Sequence, residues 1–175
     1  MRVLASAVLC LSLISCSPQG DGQASQNQSL EQPDDLVRRD LLRPFPTATS
    51  VRLFVESGKY ESDGRPIFTQ VKGRSLTESQ RAQLDAAVWI ETPIKVSDDW
   101  YSMDACFIPH HFFRYFDASG RKLGEVQVCF CCAGVAVESD KQFKLADGQR
   151  LNGDFGKLKA MISAMGEPTD IECSE

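Results

Sequence analysis

"HFFRYFDASGRKLGEVQVCF", residues 111–130, decides the fold. Two apolar-rich runs flank Asp117-Ala118-Ser119-Gly120, where the aspartate opens a type I turn and the glycine accepts a positive φ. The runs read as two antiparallel strands of a hairpin, and two registers are open. With Ser119 and Gly120 as the central pair, Asp117 faces Lys122, Arg114 faces Glu125 and His110 faces Cys129, and two of those pairs are of opposite charge. With a three-residue loop, Ala118 to Gly120, Asp117 faces Arg121, and His111 lies diagonal to Cys129 on the same face.

Working outward, "TSVRLFVES" (49–57) sets Val51, Leu53 and Val55 in alternation, the pattern of a half-buried strand. Turn chemistry follows at Gly58 and Asp63-Gly64, and "IFTQVKG" supplies a second strand, so another hairpin is expected. "LTESQRAQLDAAVWI" opens with Thr77 and Gln80 at capping-box spacing and places Leu84, Ala87 and Val88 on one helical face. That face ends at Glu91, and Thr92-Pro93 stops the helix. In "DFGKLKAMISAMGEP", Phe155, Leu158, Met161, Ile162 and Met165 recur at helical spacing between an Asp154 cap and a left-handed stop at Gly166. Here the methionines read as core filler. The expected fold class is α+β, a small antiparallel sheet of hairpins with two packed helices.

The N-terminus reads differently. "MRVLASAVLCLSLISC" has one basic residue, a short apolar core and a small residue before a cysteine, the layout of a secretory signal over residues 1–15. Leu13-Ile14-Ser15-Cys16 resembles the lipobox of bacterial lipoproteins. That resemblance implies cleavage before Cys16, its lipidation, and a membrane partnership through several acyl chains on one residue. Ser17, standing where an aspartate would imply inner-membrane retention, implies the outer membrane facing the periplasm. "SPQGDGQASQNQSLEQPDD" (17–35) is too polar to bury a core and reads, with Cys16, as a flexible tether. Residues 36–175 then form one domain of ordinary size. Without Arg2 the chain holds 18 basic against 24 acidic residues, a net charge of −6, which argues against nucleic acid as a partner.

The central hairpin is also where cysteine and histidine gather. Of seven cysteines and two histidines, "CFIPHHFFRYFDASGRKLGEVQVCFCC" (106–132) holds four cysteines and both histidines. Cys-x-x-Pro-x-His, an aromatic strand, Asp-x-x-Gly and a strand ending Cys-Phe-x-Cys resemble a motif of uncharacterised exported bacterial proteins. The matching positions are Cys106, Pro109, His111, Cys129, Phe130 and Cys132. His110 stands where that motif has a basic residue, which makes it the weaker candidate.

Three chemistries fit these residues. Cys106, His111, Cys129 and Cys132 could hold zinc or another thiophilic ion in a tetrahedral site. Cys131 and Cys173 would then remain to form a disulfide. Alternatively, structural disulfides join Cys106 to Cys129 or Cys132, as suits an oxidising compartment. Third, Cys129-x-x-Cys132 is a redox dithiol, the site of a thiol-disulfide exchange enzyme, a reading that stands beside that of a periplasmic metallochaperone. His111 also has a plain reading, a core residue satisfied by a carbonyl. No hydrolase elbow, phosphate loop or zinc-protease helix occurs, so no catalytic residue is assigned, and the expected role is binding or envelope-associated.

Overall fold

The computed structural model describes residues 37–93, 107–139 and 143–171. Nine strands and two helices lie among them. In chain order they are β1 (Val37–Leu41), β2 (Ser50–Tyr60), β3 (Pro66–Phe68), β4 (Arg74–Ser75), α1 (Glu78–Ala87), β5 (Val88–Pro93), β6 (His111–Phe116), β7 (Lys122–Cys129), β8 (Gly134–Ser139), β9 (Arg150–Gly153) and α2 (Phe155–Ala164). The larger sheet runs β3-β2-β6-β7-β8, with β4 also pairing β2; the smaller runs β1-β5-β9. Every pairing is antiparallel. The α+β class expected from the sequence is what the chain adopts.

One face of the larger sheet carries Val51, Leu53 and Val55 of β2, Phe113 and Tyr115 of β6, Val126 and Val128 of β7, and Val135 of β8. Leu84 and Ala87 of α1 and Leu158, Met161 and Ile162 of α2 close over it. Strand alternation and helical spacing are thus satisfied by one another, since each apolar stripe needs a partner to leave water. The opposite face is sealed differently. Phe68 of β3 meets Phe54 and Phe112 edge-on, with centroids 5.6 and 5.9 Å away. Arg114 lies over Phe54 at 4.2 Å and donates from Nε to Glu125 Oε2 at 2.9 Å.

Both helix ends expected from the sequence form, with one correction. Thr77 and Gln80 make the reciprocal capping box, and Asp154 caps α2 by accepting from the Lys157 amide at 3.0 Å. Gly166, at φ 76°, ends α2. But α1 stops at Ala87, five residues short of Thr92, and Val88 continues as β5. Val88-Trp89-Ile90 prefer extended backbone, and β5 finds partners on both sides, β1 and β9. Glu91, read as the polar limit of a helix, is instead buried at the centre of that sheet. Burial would raise its carboxyl, but hydrogen bonds from Trp89 Nε1, Arg150 Nε and Asn152 Nδ2 at 2.8–3.0 Å outweigh this and hold it below the usual range.

The turn at 117–120 has the three-residue form: the Asp117 amide donates to the Arg121 carbonyl at 3.1 Å. One residue later the register changes. Phe116 pairs Lys122 but Tyr115 pairs Gly124, so Leu123 is an extra residue, a β-bulge. Beyond it Arg114 faces Glu125 and His111 faces Val128. The turn belongs to one expected register and the ladder to the other.

At Gly124 a side chain would run into the Phe45 ring and the Glu138 carbonyl. Phe45 in turn stacks at 4.9 Å on Tyr115, within the core. Gly124→Ala is therefore expected to destabilise the domain by about 2 kcal/mol, the usual scale of overpacking. Urea unfolding monitored by circular dichroism measures it.

Candidate functional site

The pleat decides what the hairpin can do. Because His111 pairs with Val128, its ring projects to the helix side, while Cys129, one residue on, projects to the other. Nε2 of His111 donates to the Pro168 carbonyl at 2.8 Å, just past α2, and its ring meets Phe130 edge-on at 4.8 Å. The plain reading of this residue holds: it is a core histidine bonded to a carbonyl.

Cys129 and Cys132 form a disulfide, with Cα atoms 5.8 Å apart. It closes the four-residue turn Phe130–Ala133 between β7 and β8, where Cys129 pairs with Gly134. Ala133 takes φ 47° to complete the reversal, and the Cys132 amide points at Cys129 Sγ at 3.3 Å. Cys129 has no exposed surface, whereas Cys132 is half-buried. Cys131, exposed on the turn, is disulfide-bonded as well. Its Sγ lies 3.7 Å from the Ile171 carbonyl oxygen.

These positions overturn the expected metal site of Cys106, His111, Cys129 and Cys132, and with it zinc or another thiophilic ion as cofactor. Two of the proposed ligands are consumed in bonding each other, and the third faces the opposite side of the sheet with its Nε2 committed to Pro168. Cys106 lies outside the described residues, as do Cys16 and Cys173. Among the described residues, no three or more His, Cys, Asp and Glu side chains gather as metal ligands would.

The residue ranked lower in the sequence has the more consequential surroundings. His110 is buried, and its Nδ1 lies 2.9 Å from Oε2 of the equally buried Glu56. The Glu56 amide also donates to the His110 carbonyl at 2.9 Å, which extends the β2–β6 ladder by one pair. The alternation of Val51, Leu53 and Val55 already places Glu56 on the far face. Its meeting with His110 needed the β2–β6 adjacency, which no local pattern contains.

The chain matches no family model, and no curated protein or solved structure matches it.

Burial lowers the pKa of His111 from the ordinary 6.5, and the hydrogen bond to Pro168 only partly opposes this. The folded chain thus keeps this ring neutral where the unfolded chain takes up a proton. Its contribution to stability is full above pH 6.5 and is lost as pH falls from there toward the lower folded-state value. Melting temperatures of the chain should fall over that window, and His111→Phe should flatten the fall while lowering stability at neutral pH. Thermal melts in a pH series read both.

Proposed function

We propose that this chain is a lipid-tethered domain of the bacterial cell envelope, held by Cys16 at the outer membrane, facing the periplasm and acting through binding. The Cys129–Cys132 disulfide carries this reading, because such bonds persist in oxidising compartments and not among cytosolic thiols. The lipobox-like Leu13–Cys16, the polar 17–35 tether and the acidic balance of the rest agree with it. Among the described residues no helix is long and apolar enough to cross a membrane, and a lipid on Cys16 would supply the anchorage instead. For binding, the β2–β3 hairpin offers Tyr60 and Ile67, 57% and 38% exposed, on opposite strands. Such amphipathic and apolar side chains are favoured contacts at protein interfaces.

We also propose that Cys131 pairs with Cys173. The supporting contact is that of Cys131 Sγ with the carbonyl of Ile171, two residues before Cys173. In the oxidised chain this leaves Cys106 outside both pairs.

Expressed at full length in a bacterial host fed an alkyne-bearing fatty acid, the chain should incorporate the label and fractionate with outer membranes. Cys16→Ala should lose both properties. Label retained in that variant, or never acquired, would exclude the lipid tether. Non-reducing peptide mapping of the same material should link Cys129 to Cys132 and Cys131 to Cys173.

The inner bond is a weak staple. Closing a loop of four residues removes so little unfolded-chain entropy that it contributes at most about 2 kcal/mol. The β7–β8 ladder beside it runs from Gly124↔Ser139 to Cys129↔Gly134. Cys132→Ser should therefore cost no more than about 2 kcal/mol in urea unfolding and leave the far-ultraviolet dichroism unchanged.

A further inference from the structure

Glu56, His110 and Cys129 stand in one row across three adjacent strands, on the face turned away from the helices. Two registers set the row. The pairing of Val55 with His111, continued by the Glu56 amide's bond to the His110 carbonyl, puts Glu56 beside His110. The pairing of His111 with Val128, carried one pair further, puts His110 opposite Cys129. Side chains directly opposite on antiparallel strands have Cβ atoms about 5 Å apart and share a face. The next position across is Gly134, paired with Cys129. A side chain there would strike the Phe107 ring at 2.7 Å and meet Cys132 Sγ at 3.5 Å. An aromatic ring therefore closes the row beside the disulfide.

The protonation pattern within the row follows from chemistry. Ionised carboxylate oxygens only accept, so beside an ionised Glu56 the hydrogen between Oε2 and His110 Nδ1 sits on the ring, which leaves Nε2 as the nitrogen able to exchange a proton. That Nε2 is buried and has no hydrogen-bond partner among the described residues. His110 and Glu56 are only 5% and 8% exposed, so leaving this nitrogen unengaged carries a desolvation penalty. Nδ1 of His111 is also unpartnered, but that ring is bonded to a backbone carbonyl on the helix side, whereas His110 is bonded to a carboxylate. A carboxylate orienting an imidazole whose other nitrogen is uncommitted, at the register position across from a cysteine, is the arrangement by which enzymes move protons on and off sulfur.

We propose that the Cys129–Cys132 disulfide is a redox-active bond that accepts two electrons from a dithiol, with His110 as the acid–base group for Cys129 and Glu56 as its positioning residue. The inference goes beyond the binding role and is independent of the lipid tether. In the first step a substrate thiolate attacks Cys132 Sγ, the more accessible sulfur. A substrate–Cys132 bond forms, the Cys129–Cys132 bond breaks, and Cys129 leaves as thiolate, taking a proton from His110 Nε2, which draws it from the solvent into which the substrate thiol released its own. In the second step the other substrate thiolate attacks its own sulfur in the mixed disulfide. The substrate departs as a disulfide and Cys132 as a thiolate, which takes a proton from solvent. Two electrons have passed from dithiol to domain. Reoxidation by an external disulfide runs the steps backwards, with His110 Nε2 taking the proton from the Cys129 thiol. Among the described residues, the titratable groups around His110 are Glu56 from β2, Cys129 from β7 once its disulfide opens and, on the other side of the sheet, His111.

The full chain, purified in its oxidised form, is mixed with dithiothreitol at a series of pH values. Samples are acid-quenched, alkylated and mapped by mass spectrometry. The Cys129–Cys132 bond should open while the chain stays folded, with a rate whose pH profile shows an inflection beyond that of dithiothreitol ionisation. His110→Gln should slow opening roughly a hundredfold, the low end of what a positioned acid–base group contributes, and remove the inflection. Glu56→Gln should keep part of the rate. With glutathione, a monothiol, the short-lived mixed disulfide trapped by the acid quench should lie on Cys132. If His110→Gln does not fold, the wild-type profile and the glutathione adduct decide the matter. A bond that resists reduction in the folded chain, an adduct on Cys129, a profile without the inflection, or a folded His110→Gln that reacts as fast as wild type would each overturn the proposal.

Discussion

A single extra residue governs the central sheet. Leu123 bulges from β7 between the pairs Phe116↔Lys122 and Tyr115↔Gly124, and every pair further from the turn inherits the shift. Since strand side chains alternate between faces, an offset of one residue exchanges what lies inside for what lies outside. With the bulge, Val126 and Val128 join Phe113 and His111 beneath the helices, while Glu125, Gln127 and Cys129 face away. Without it the three-residue turn would force the opposite assignment. The bulge reconciles a turn that Asp117 and Gly120 favour with a ladder that the apolar residues demand, and it also sends His111 to one side of the sheet and Cys129 to the other.

Buried carboxylates join distant parts of the chain. Glu91 on β5 collects Trp89, Arg150 and Asn152 and so locks β9 against its neighbour. Glu125 on β7 draws in Arg114, Lys122 and Gln127; burial would raise its carboxyl, and these partners together hold it low. Glu167, after α2, accepts from Arg74 Nε at 2.6 Å and Thr69 Oγ1 at 2.7 Å, which fastens the last described segment to the β3–β4 region. Each is surrounded by donors, as a buried anion must be. Glu56 differs in that its bonded partner is a histidine, a group able to pass the proton on.

Local chemistry was the legible part of this sequence. The caps at Thr77 and Asp154, the stop at Gly166, the turn at Asp117 and the alternation along β2 are each determined within a few residues, and the chain forms them. Length and identity of neighbours were not legible. Val88 fits a helical stripe as well as a strand, and only the presence of β1 and β9 to either side settles it. The metal tetrad failed for a related reason: ligand spacing along a chain says nothing of pleat parity, and parity here turned on Leu123. His110 was undervalued because its partner lies 54 positions away on a strand whose adjacency only the tertiary fold creates.

The β7–β8 ladder has a kinetic meaning. Cys129 is paired to Gly134, and Cys132 sits two residues before that glycine within the same tight turn. Their Cα atoms stand 5.8 Å apart in the bonded form, and the Cys129↔Gly134 pair ties the two ends of the turn together. Two thiols so placed have an effective concentration for each other far above that of any thiol in solution. Ring closure would be a first-order event set by side-chain rotation, and a mixed disulfide on this turn would be short-lived by construction.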